Sequence, residues 1–392
     1  MLTESCPEAG RKSERDLSLL RTARPSEAST ARRLRLLCAL AALALCGCST
    51  IGYLAQAAHG EWQLMHARRP IERVIADPTT APKLKARLAL VEDIRAFAVT
   101  DLYLPDNHSY RSYSDLKRPY AVWNVVAAPS LSVQPRRWCF PVAGCIDYRG
   151  YFHEQKARRF AARLAANGDD VLVEGVTAFS TLGHFADPVL NTMLRYDDLE
   201  LAGVIFHELA HQLIYVRDDS KFNESFAVTV ETEGLARWLR ARGRQNDMPH
   251  YSEERRIEQA INEAFVAARA QLKTLYVSSL PREQKRQRKE EILTRTGQEV
   301  LAIEQRAHMH SEYDRWIHAG LNNAHLAAVG TYFDCVGGFE QLLRQQQGDL
   351  PQFYAAVRRM ARDPAARRGL CRADGGTKSA RAAAAESRGT VD

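Results

Sequence analysis

The 392-residue sequence lacks the cysteine spacing of common structural zinc sites and the strong positive charge of nucleic-acid-binding proteins. It has no pair of cysteines at the CxxC spacing, which disfavours a structural zinc site made of cysteines. Its net charge is only +7, and residues 1–47 carry 8 Lys/Arg against 5 Asp/Glu, which leaves about +4 for the rest. This charge is not that of a nucleic-acid binder, so no nucleic-acid partner is expected. Apolar residues, at 45 % of the chain, suffice for a core.

An N-terminal targeting segment is indicated by basic residues at 32–35 followed by an apolar run at 36–45. The run is too short to span a bilayer comfortably but fits the apolar region of a signal peptide. It ends in the residues LCGC at 45–48, which resemble a bacterial lipobox. Cys48 would then be the first mature residue and the lipid anchor. Cys46 departs from the usual lipobox residue at its position, and an uncleaved signal anchor is the alternative.

The lipobox resemblance implies a protein of the bacterial cell envelope, held by its lipid on the periplasmic face of a membrane. Ser49 follows the anchor, where an Asp would resemble an inner-membrane retention signal, so the outer membrane is favoured. We therefore expect a leader and signal peptide at 1–47 and a body at 48–372. A Gly/Ala/Ser-rich tail at 373–392 is expected to be disordered.

Four of the eight cysteines lie in the exported body, where an oxidising compartment permits disulfides. Cys139 and Cys145 flank a turn-rich loop and are expected to pair. A bond between Cys335 and Cys371 is a second possibility. No internal repeat is evident.

The pattern of apolar residues predicts a mainly helical α+β fold. The body divides into an N-terminal helical and β part at 48–152, a core at 153–250 and a helical C-terminal part at 251–372. Helices are expected at 53–78, 82–99, 153–167, 222–242, 320–329, 335–347 and 350–362, with two long charged helices across 252–312 hinged at 280–281. Strands are expected at 121–127, 131–133 and 170–181.

The segment 199–216 contains the motif HExxH as His207, Glu208 and His211. On a helix, residues four apart lie one turn apart on the same face, so both imidazoles can bind one metal ion. The segment is mostly apolar, which predicts a buried helix, and a buried helix tolerates such polar groups poorly unless they are compensated. A solvated helix with two unrelated histidines is the simpler alternative.

A third ligand is predicted at Glu224, thirteen positions after His211 and near the start of the next helix. A short connection makes two such helices antiparallel, which returns Glu224 to the histidines. The HExxH and NExxA motifs together form the gluzincin signature. Its two histidines and one glutamate suit catalytic Zn²⁺ with an open position. The metzincin alternative needs a further histidine, which is absent because Ile214 and Arg217 occupy the relevant positions.

The predicted chemistry is amide hydrolysis, with Glu208 as the base that takes a proton from the attacking water. Three candidates to orient the ligating histidines are Asp218, Asn223 and Glu231. A donor to the developing oxyanion is also required. Tyr332 is one candidate and His325 another, although Tyr332 would equally fit an apolar core.

The chain resembles the bacterial predicted aminopeptidase lipoprotein family, a gluzincin group. The resemblance covers most of residues 48–360. It rests on the lipobox, Trp123-Asn124-Val125, WCFPVAGCIDYRG at 138–150, FSTLGHFADPVL at 179–190, HELAHQ at 207–212 and FNESFA at 222–227. It implies a gluzincin-like fold, with an active-site helix pair beside a small β region, and a zinc peptidase activity. The G-x-M-E-N strand with which well-known gluzincin aminopeptidases bind the substrate amino group is missing near Gly175.

These features predict a lipid-anchored zinc metallopeptidase that acts on peptides or proteins, with aminopeptidase activity implied by the resemblance. The strand at 170–181 precedes the HExxH helix, where zinc peptidases hold the substrate backbone. An endopeptidase of the cell envelope is one alternative. A non-catalytic, membrane-tethered assembly factor that keeps the fold is another, although such a protein would not need Glu208.

Overall fold

The structure is a computed structural model that describes residues 52–140, 144–178, 180–181, 183–309, 311, 313–329 and 335–371. The chain divides into two compact units, Met1–Ala55 and Gln56–Asp392. In the first unit only residues 52–55 are described, and they are helical. The elements described below belong to the second unit. The signal peptide, the anchor Cys48 and the tail at 373–392 lie outside the described residues.

Helices make up most of the described part of the second unit, which confirms the predicted mainly helical class. They are α1 (residues 56–66), α2 (Ile71–Ala76), α3 (Pro82–Thr100), α4 (Glu154–Ala166), α5 (Asp198–Leu213), α6 (Ser220–Ala241), α7 (Met248–Val277), α8 (Arg282–Ala307), α9 (Tyr313–Ala319), α10 (Asn323–Val329), α11 (Val336–Gln345) and α12 (Leu350–Ala361). Among the described residues, no helix is both long and apolar enough to cross a membrane.

Short strands form small sheets, as expected for an α+β protein. They are β1 (Arg69–Pro70), β2 (Ser112–Ser114), β3 (Val122–Pro129), β4 (Trp138–Phe140), β5 (Gly144–Ile146), β6 (Arg149–Tyr151), β7 (Asp169–Val176) and β8 (Val189–Leu190). Their orders are β1-β2-β8, β6-β3-β7 and β4-β5. Strand β7 pairs with β3 in antiparallel register from Val122↔Val176 to Pro129↔Asp169. Because β3 is its only partner among the described strands, β7 is an edge strand.

Two apolar cores hold the helices together. The larger core joins α3, α5, α6, α11 and α12, and α6 contributes Phe226, which has no exposed surface. The Phe226 ring lies 6.0 Å from the ring of Phe353 on α12 and 5.9 Å from that of Phe339 on α11. The smaller core joins α7, α8 and α10 and reaches the β3–β7 pair through Val126 and Leu172. Helices α5 and α6 are therefore fixed from several sides.

The structure differs from the sequence prediction at two places. The predicted helix at 53–78 is interrupted by β1, because Pro70 fixes its own backbone and disfavours a helical conformation at Arg69. The predicted strand at 131–133 is absent, and Ser130 and Leu131 form a turn in which the Ser132 N–H donates to the Pro129 carbonyl at 3.0 Å. The predicted hinge at 280–281 coincides with the break between α7 and α8, where Pro281 lies just before the first residue of α8.

Two disulfides are present. Cys139 and Cys145 lie opposite one another on β4 and β5 and are bonded. The second bond joins Cys335 to Cys371 and so links the start of α11 to the end of the described chain. The structure thus contains both of the pairs considered from the sequence.

The aromatic contact between α6 and α12 predicts a large stability effect. Phe353→Ala removes a ring with 0 % exposure that packs on Phe226, so we expect the free energy of unfolding to fall by about 3–5 kcal/mol. Val277→Ala is the control, because Val277 is 81 % exposed and should change stability by less than about 0.5 kcal/mol. Urea titration followed by circular dichroism measures both. Equal stability of the two variants would contradict the assigned core.

Candidate metal centre

Helix α5 is well defined at its start. The Asp197 carboxylate accepts the Glu200 backbone N–H at 2.8 Å, and the Glu200 carboxylate accepts the Asp197 N–H at 3.0 Å. This capping box satisfies backbone donors that have no partner within the helix. Apolar side chains of α5 are buried along its length, so the turns that carry His207 and His211 have a fixed position.

The connection between α5 and α6 is short and locked by one side chain. The Asn223 amide oxygen accepts the Val216 N–H at 2.8 Å, and its amide nitrogen donates to the Val216 carbonyl at 2.8 Å. Asp219 caps α6 by accepting the Phe222 N–H. Together these bonds turn the chain back on itself, so the first turn of α6 lies beside the last turns of α5.

Two glycines allow α5 and α6 to approach closely. A Cβ atom at Gly203 would lie 3.2 Å from Oε1 of Glu231, and a Cβ atom at Gly234 would lie 2.9 Å from the ring of Phe206. A Cβ atom at Gly234 would require Phe206 or Leu102 to move, and one at Gly203 would press on the Glu231 carboxylate. Close packing here brings the side chains of α6 within hydrogen-bond distance of the α5 histidines.

His207, His211 and Glu224 form a group that could hold a metal ion, with ligand atoms all within 4.8 Å of one another. The Nε2 atoms of His207 and His211 are 3.1 Å apart. Oε2 of Glu224 lies 3.3 Å from Nε2 of His207 and 3.5 Å from Nε2 of His211. Three potential ligands thus converge on one point, as the spacing of HExxH and Glu224 predicts.

The charges around these residues favour a cation. Burial alone would lower the pKa of His207, but hydrogen bonds to Glu224 and Glu231 and their negative charges raise it to about 10. Burial alone would raise the pKa of Glu224, but its bonds to His207 and His211 lower it to about 2. A proton on His207 compensates these carboxylates, and a bound cation would serve the same purpose.

Of the three predicted orienting residues, Glu231 contacts a histidine. Its Oε2 accepts a hydrogen bond from Nδ1 of His207 at 3.0 Å. In the neutral form of His207 that binds a metal, the lone pair therefore lies on Nε2, which faces the ligand group. The other carboxylate oxygen accepts the hydroxyl of Tyr251 on α7 at 3.0 Å. Tyr251 was not found from the sequence, because nothing in the spacing of α7 marks it as a neighbour of α6.

The other two candidates lie elsewhere. Asn223 is engaged with Val216, as described above, and Asp218 accepts the Cys145 N–H at 3.1 Å. Asp218 has a left-handed backbone with φ 63°. It therefore ties the β4–β5 hairpin to the α5–α6 connection. Neither residue has a hydrogen bond to His207 or His211 among the described residues.

The two candidate oxyanion donors receive no support from the described residues. Tyr332 lies outside them. His325 belongs to α10, where its ring packs 5.1 Å from that of Trp316 and its Nδ1 atom contacts Asn322. Burial lowers the pKa of His325 to about 4. Its contacts are those of a buried histidine in the smaller core.

A second side of α5 faces the loop at 180–187. Glu208 and Gln212 are four residues apart and share this side, and Gln212 donates to Oδ2 of Asp187 at 3.4 Å. The Asp187 carboxylate also accepts the backbone N–H of Thr181 at 3.0 Å. Burial and the charge of Glu208 raise the pKa of Asp187 to about 6. Asp187 thus fixes the loop that follows β7 against the helix that carries the motif.

The contact between Tyr251 and Glu231 generates a prediction about metal affinity. Tyr251→Phe removes the hydroxyl that holds Glu231, so we expect divalent-metal affinity to fall up to about 10-fold, and Glu231→Gln to cost about 10- to 100-fold. Tyr103→Phe is the control, because Tyr103 is 55 % exposed. Competition against a chromogenic chelator measures the affinities. If all three variants bound metal as the parent protein does, Glu231 would not orient His207.

The comparison with known proteins agrees with this arrangement. A family described as putative aminopeptidase matches residues 52–370, which is most of the chain and includes all the residues that converge on the site. Among curated proteins and among solved structures, none matches the chain significantly. A peptidase-like function is thus supported at the level of the family. The chain belongs to the putative aminopeptidase family.

Proposed function

We propose that this protein is a zinc-dependent peptidase of the gluzincin type that removes residues from the free amino termini of peptides. The observation that carries the proposal is the convergence of His207, His211 and Glu224 beside Glu208. The family assignment supports the aminopeptidase part.

The spacing of the three ligand atoms supports zinc in particular. A tetrahedral zinc ion with bonds of about 2.0–2.1 Å holds its ligand atoms about 3.3 Å apart. The separations here are 3.1, 3.3 and 3.5 Å. Two imidazoles and one carboxylate are also the ligand set of zinc enzymes that keep a fourth position open for chemistry.

The residues around this group have distinct roles in the proposed mechanism. His207, His211 and Glu224 would hold the zinc ion, which would supply Lewis-acid polarisation of the scissile carbonyl. Glu208 takes a proton from the attacking water and transfers it to the leaving amine. Glu231 keeps His207 in the tautomer whose Nε2 atom can bind the metal.

The substrate would bind along β7. No described strand other than β3 pairs with β7, and Asn322 donates to the Val171 carbonyl near the start of the strand at 3.0 Å. An extended peptide can add to the remainder of such an edge through backbone hydrogen bonds. The loop at 180–187 follows β7 and is tied to Gln212 on α5 through Asp187. The order of strand, loop and helix thus supports a substrate that lies next to the predicted base.

The proposed location is the bacterial cell envelope. The lipobox-like residues at 45–48 support a lipid on Cys48, and Ser49 supports the outer membrane. The family match begins at residue 52, just after this segment. A protein anchored there would present its active site to peptides in the periplasm. With this location we also propose the division of the chain into a signal peptide at 1–47, a body at 48–372 and a tail at 373–392.

The role of Glu208 gives the most direct test of catalysis. Glu208→Gln keeps the shape of the side chain but removes the base, so kcat should fall about 10²- to 10⁴-fold while one equivalent of zinc stays bound. Glu283→Gln is the control, because its side chain is 83 % exposed on α8. Peptide-library hydrolysis and metal analysis provide the measurements. Stoichiometric zinc without any Glu208-dependent cleavage would favour a non-catalytic assembly factor.

Exopeptidase specificity has a separate test. Peptides with a free amino terminus should be cleaved at least about 10-fold faster, by kcat/KM, than their N-acetylated forms, because an aminopeptidase stabilises the terminal ammonium group in the transition state. Mass spectrometry of the products identifies the bond that is cut. Equal rates with internal cleavage would instead identify an endopeptidase.

A further inference from the structure

Helix α1 is packed on the protein through one side only. Gln56, Gly60 and Leu64 are spaced four residues apart, and all three are buried. The Gln56 amide donates to the Gly150 carbonyl at 3.3 Å and accepts the Phe152 N–H at 3.4 Å. A Cβ atom at Gly60 would lie 2.1 Å from the Phe152 ring, so the helix backbone rests directly on that ring. These contacts fix which side of α1 points away from the protein.

The side of α1 that points outward carries no residue of full charge. Its exposed residues form the outer face, which consists of Ala58, His59, Trp62, Gln63 and His66. The one carboxylate of residues 56–66 belongs to Glu61, whose Oε1 atom is buried. Helix α4 shows the pattern usual for a helix that faces water, because its exposed residues include Lys156 and Arg158. The outer face of α1 is therefore suited to surroundings less polar than bulk water.

Trp62 is the largest side chain of the outer face and is 54 % exposed. Its ring lies 4.1 Å from that of His66 and 6.1 Å from that of His59, so three rings cover this side of the helix. Indole combines a large apolar surface with a single N–H donor, and tryptophan is therefore enriched where a membrane meets water. Contact with lipid headgroups would remove the apolar part of the ring from water and still offer its N–H polar partners.

Cations and a second aromatic side chain lie next to the end of α1. Arg68 and Arg69 follow the helix and are exposed, and Arg69 also pairs with Asp77. Nη1 of Arg68 donates to the Ala186 carbonyl at 3.2 Å, so the neighbouring Phe185, which is 55 % exposed, belongs to the same region of the surface. Guanidinium groups bind phosphate, and aromatic rings suit the membrane interface. The composition of this region thus matches the headgroups of phospholipids.

The proposed lipid on Cys48 indicates what the outer face contacts. Gln56 is eight residues after Cys48, so even an extended chain keeps the two residues within about 29 Å of one another. We propose that the outer face of α1 lies on the phospholipid bilayer that holds the acyl chains of Cys48, with the Trp62 ring among the headgroups. This inference rests on the proposed lipid anchor. A protein surface that binds the same membrane adds a second attachment, and stable anchoring generally needs two.

Fluorescence quenching tests this contact in the acylated full chain bound to vesicles of phosphatidylethanolamine and phosphatidylglycerol whose acyl chains carry bromine near the headgroups. Trp62 is one of five tryptophans, so we expect these lipids to quench about one fifth of the emission. Trp62→Phe, a change at an exposed side chain, should abolish the quenching, whereas the control Trp138→Phe on β4 should retain it. Equal quenching in the parent protein and in Trp62→Phe would overturn the inference.

A spin label measures the same contact without tryptophan. The body's cysteines at 139, 145, 335 and 371 form two disulfides, so Gln63→Cys introduces one reactive thiol. The ratio of collisions with O₂ to collisions with a water-soluble nickel complex should be at least about fivefold higher there than at Glu291→Cys, an exposed control site on α8. Equal ratios at the two sites would place the outer face of α1 in water and contradict the proposed contact.

Mass spectrometry and flotation with vesicles distinguish this inference from the proposed anchor. An acylated chain that floats with vesicles but shows neither the quenching nor the higher collision ratio would keep the proposed location and overturn the contact of α1. A chain without acyl groups that stays in solution would remove the anchor and the inference with it. Peptide hydrolysis measured in detergent solution does not depend on either result, so the peptidase proposal is tested separately.

Discussion

The contact between the last turns of α5 and the first turn of α6 is the constraint on which the candidate site depends. His207 and His211 lie one turn apart on α5 and supply two ligands. The next residue on that face of α5 lies a further turn away, so the third ligand comes from α6. The bond pair between Asn223 and Val216 sets where α6 begins, and that start places Glu224 3.3–3.5 Å from both imidazoles. One residue inserted between Asn223 and Glu224 would rotate Glu224 by about 100° around α6 relative to Asn223 and remove it from the site.

Close helix packing also explains how the protein accommodates so many charges in its interior. Carboxylates and imidazoles lose much hydration on burial, and this loss is tolerable only when each group has a partner. Glu231 has two partners, because it accepts from His207 and from Tyr251. The charge of Arg255 on α7 stabilises it further. The metal centre is thereby linked to the long helices α7 and α8, and a change in their packing would reach His207 through Glu231.

The parts of the fold and of the site that could be predicted from the sequence are those determined by residues close together in the chain. The HExxH spacing and the short connection before Glu224 are local features, and the group they predict is present in the structure. The break at Pro281 and the start of α3 at Pro82 are local as well. Tyr251, Asp187 and Tyr110 have no such signal, because their contacts join segments far apart in sequence and depend on how the helices pack. Asp218 and Asn223 instead bond backbone groups at Cys145 and Val216, and polar residues in a short connection serve backbone groups as often as a neighbouring site.

Tyr110 shows how the loop at 106–111 is held beside α5. A bulky residue with φ 61° is strained, and such conformations persist where surrounding contacts impose them. The Tyr110 N–H donates to the Asp187 carbonyl at 2.6 Å, and Asn107 in the same loop donates to Gln212 of α5 at 2.6 Å. The loop at 106–111 therefore contacts α5 through Asn107 and is also bound by Arg95 of α3, which donates to the Ser109 and Asn107 carbonyls. Since Glu208 and Gln212 share one side of α5, a group that displaced this loop would alter the surroundings of the predicted base without touching any metal ligand.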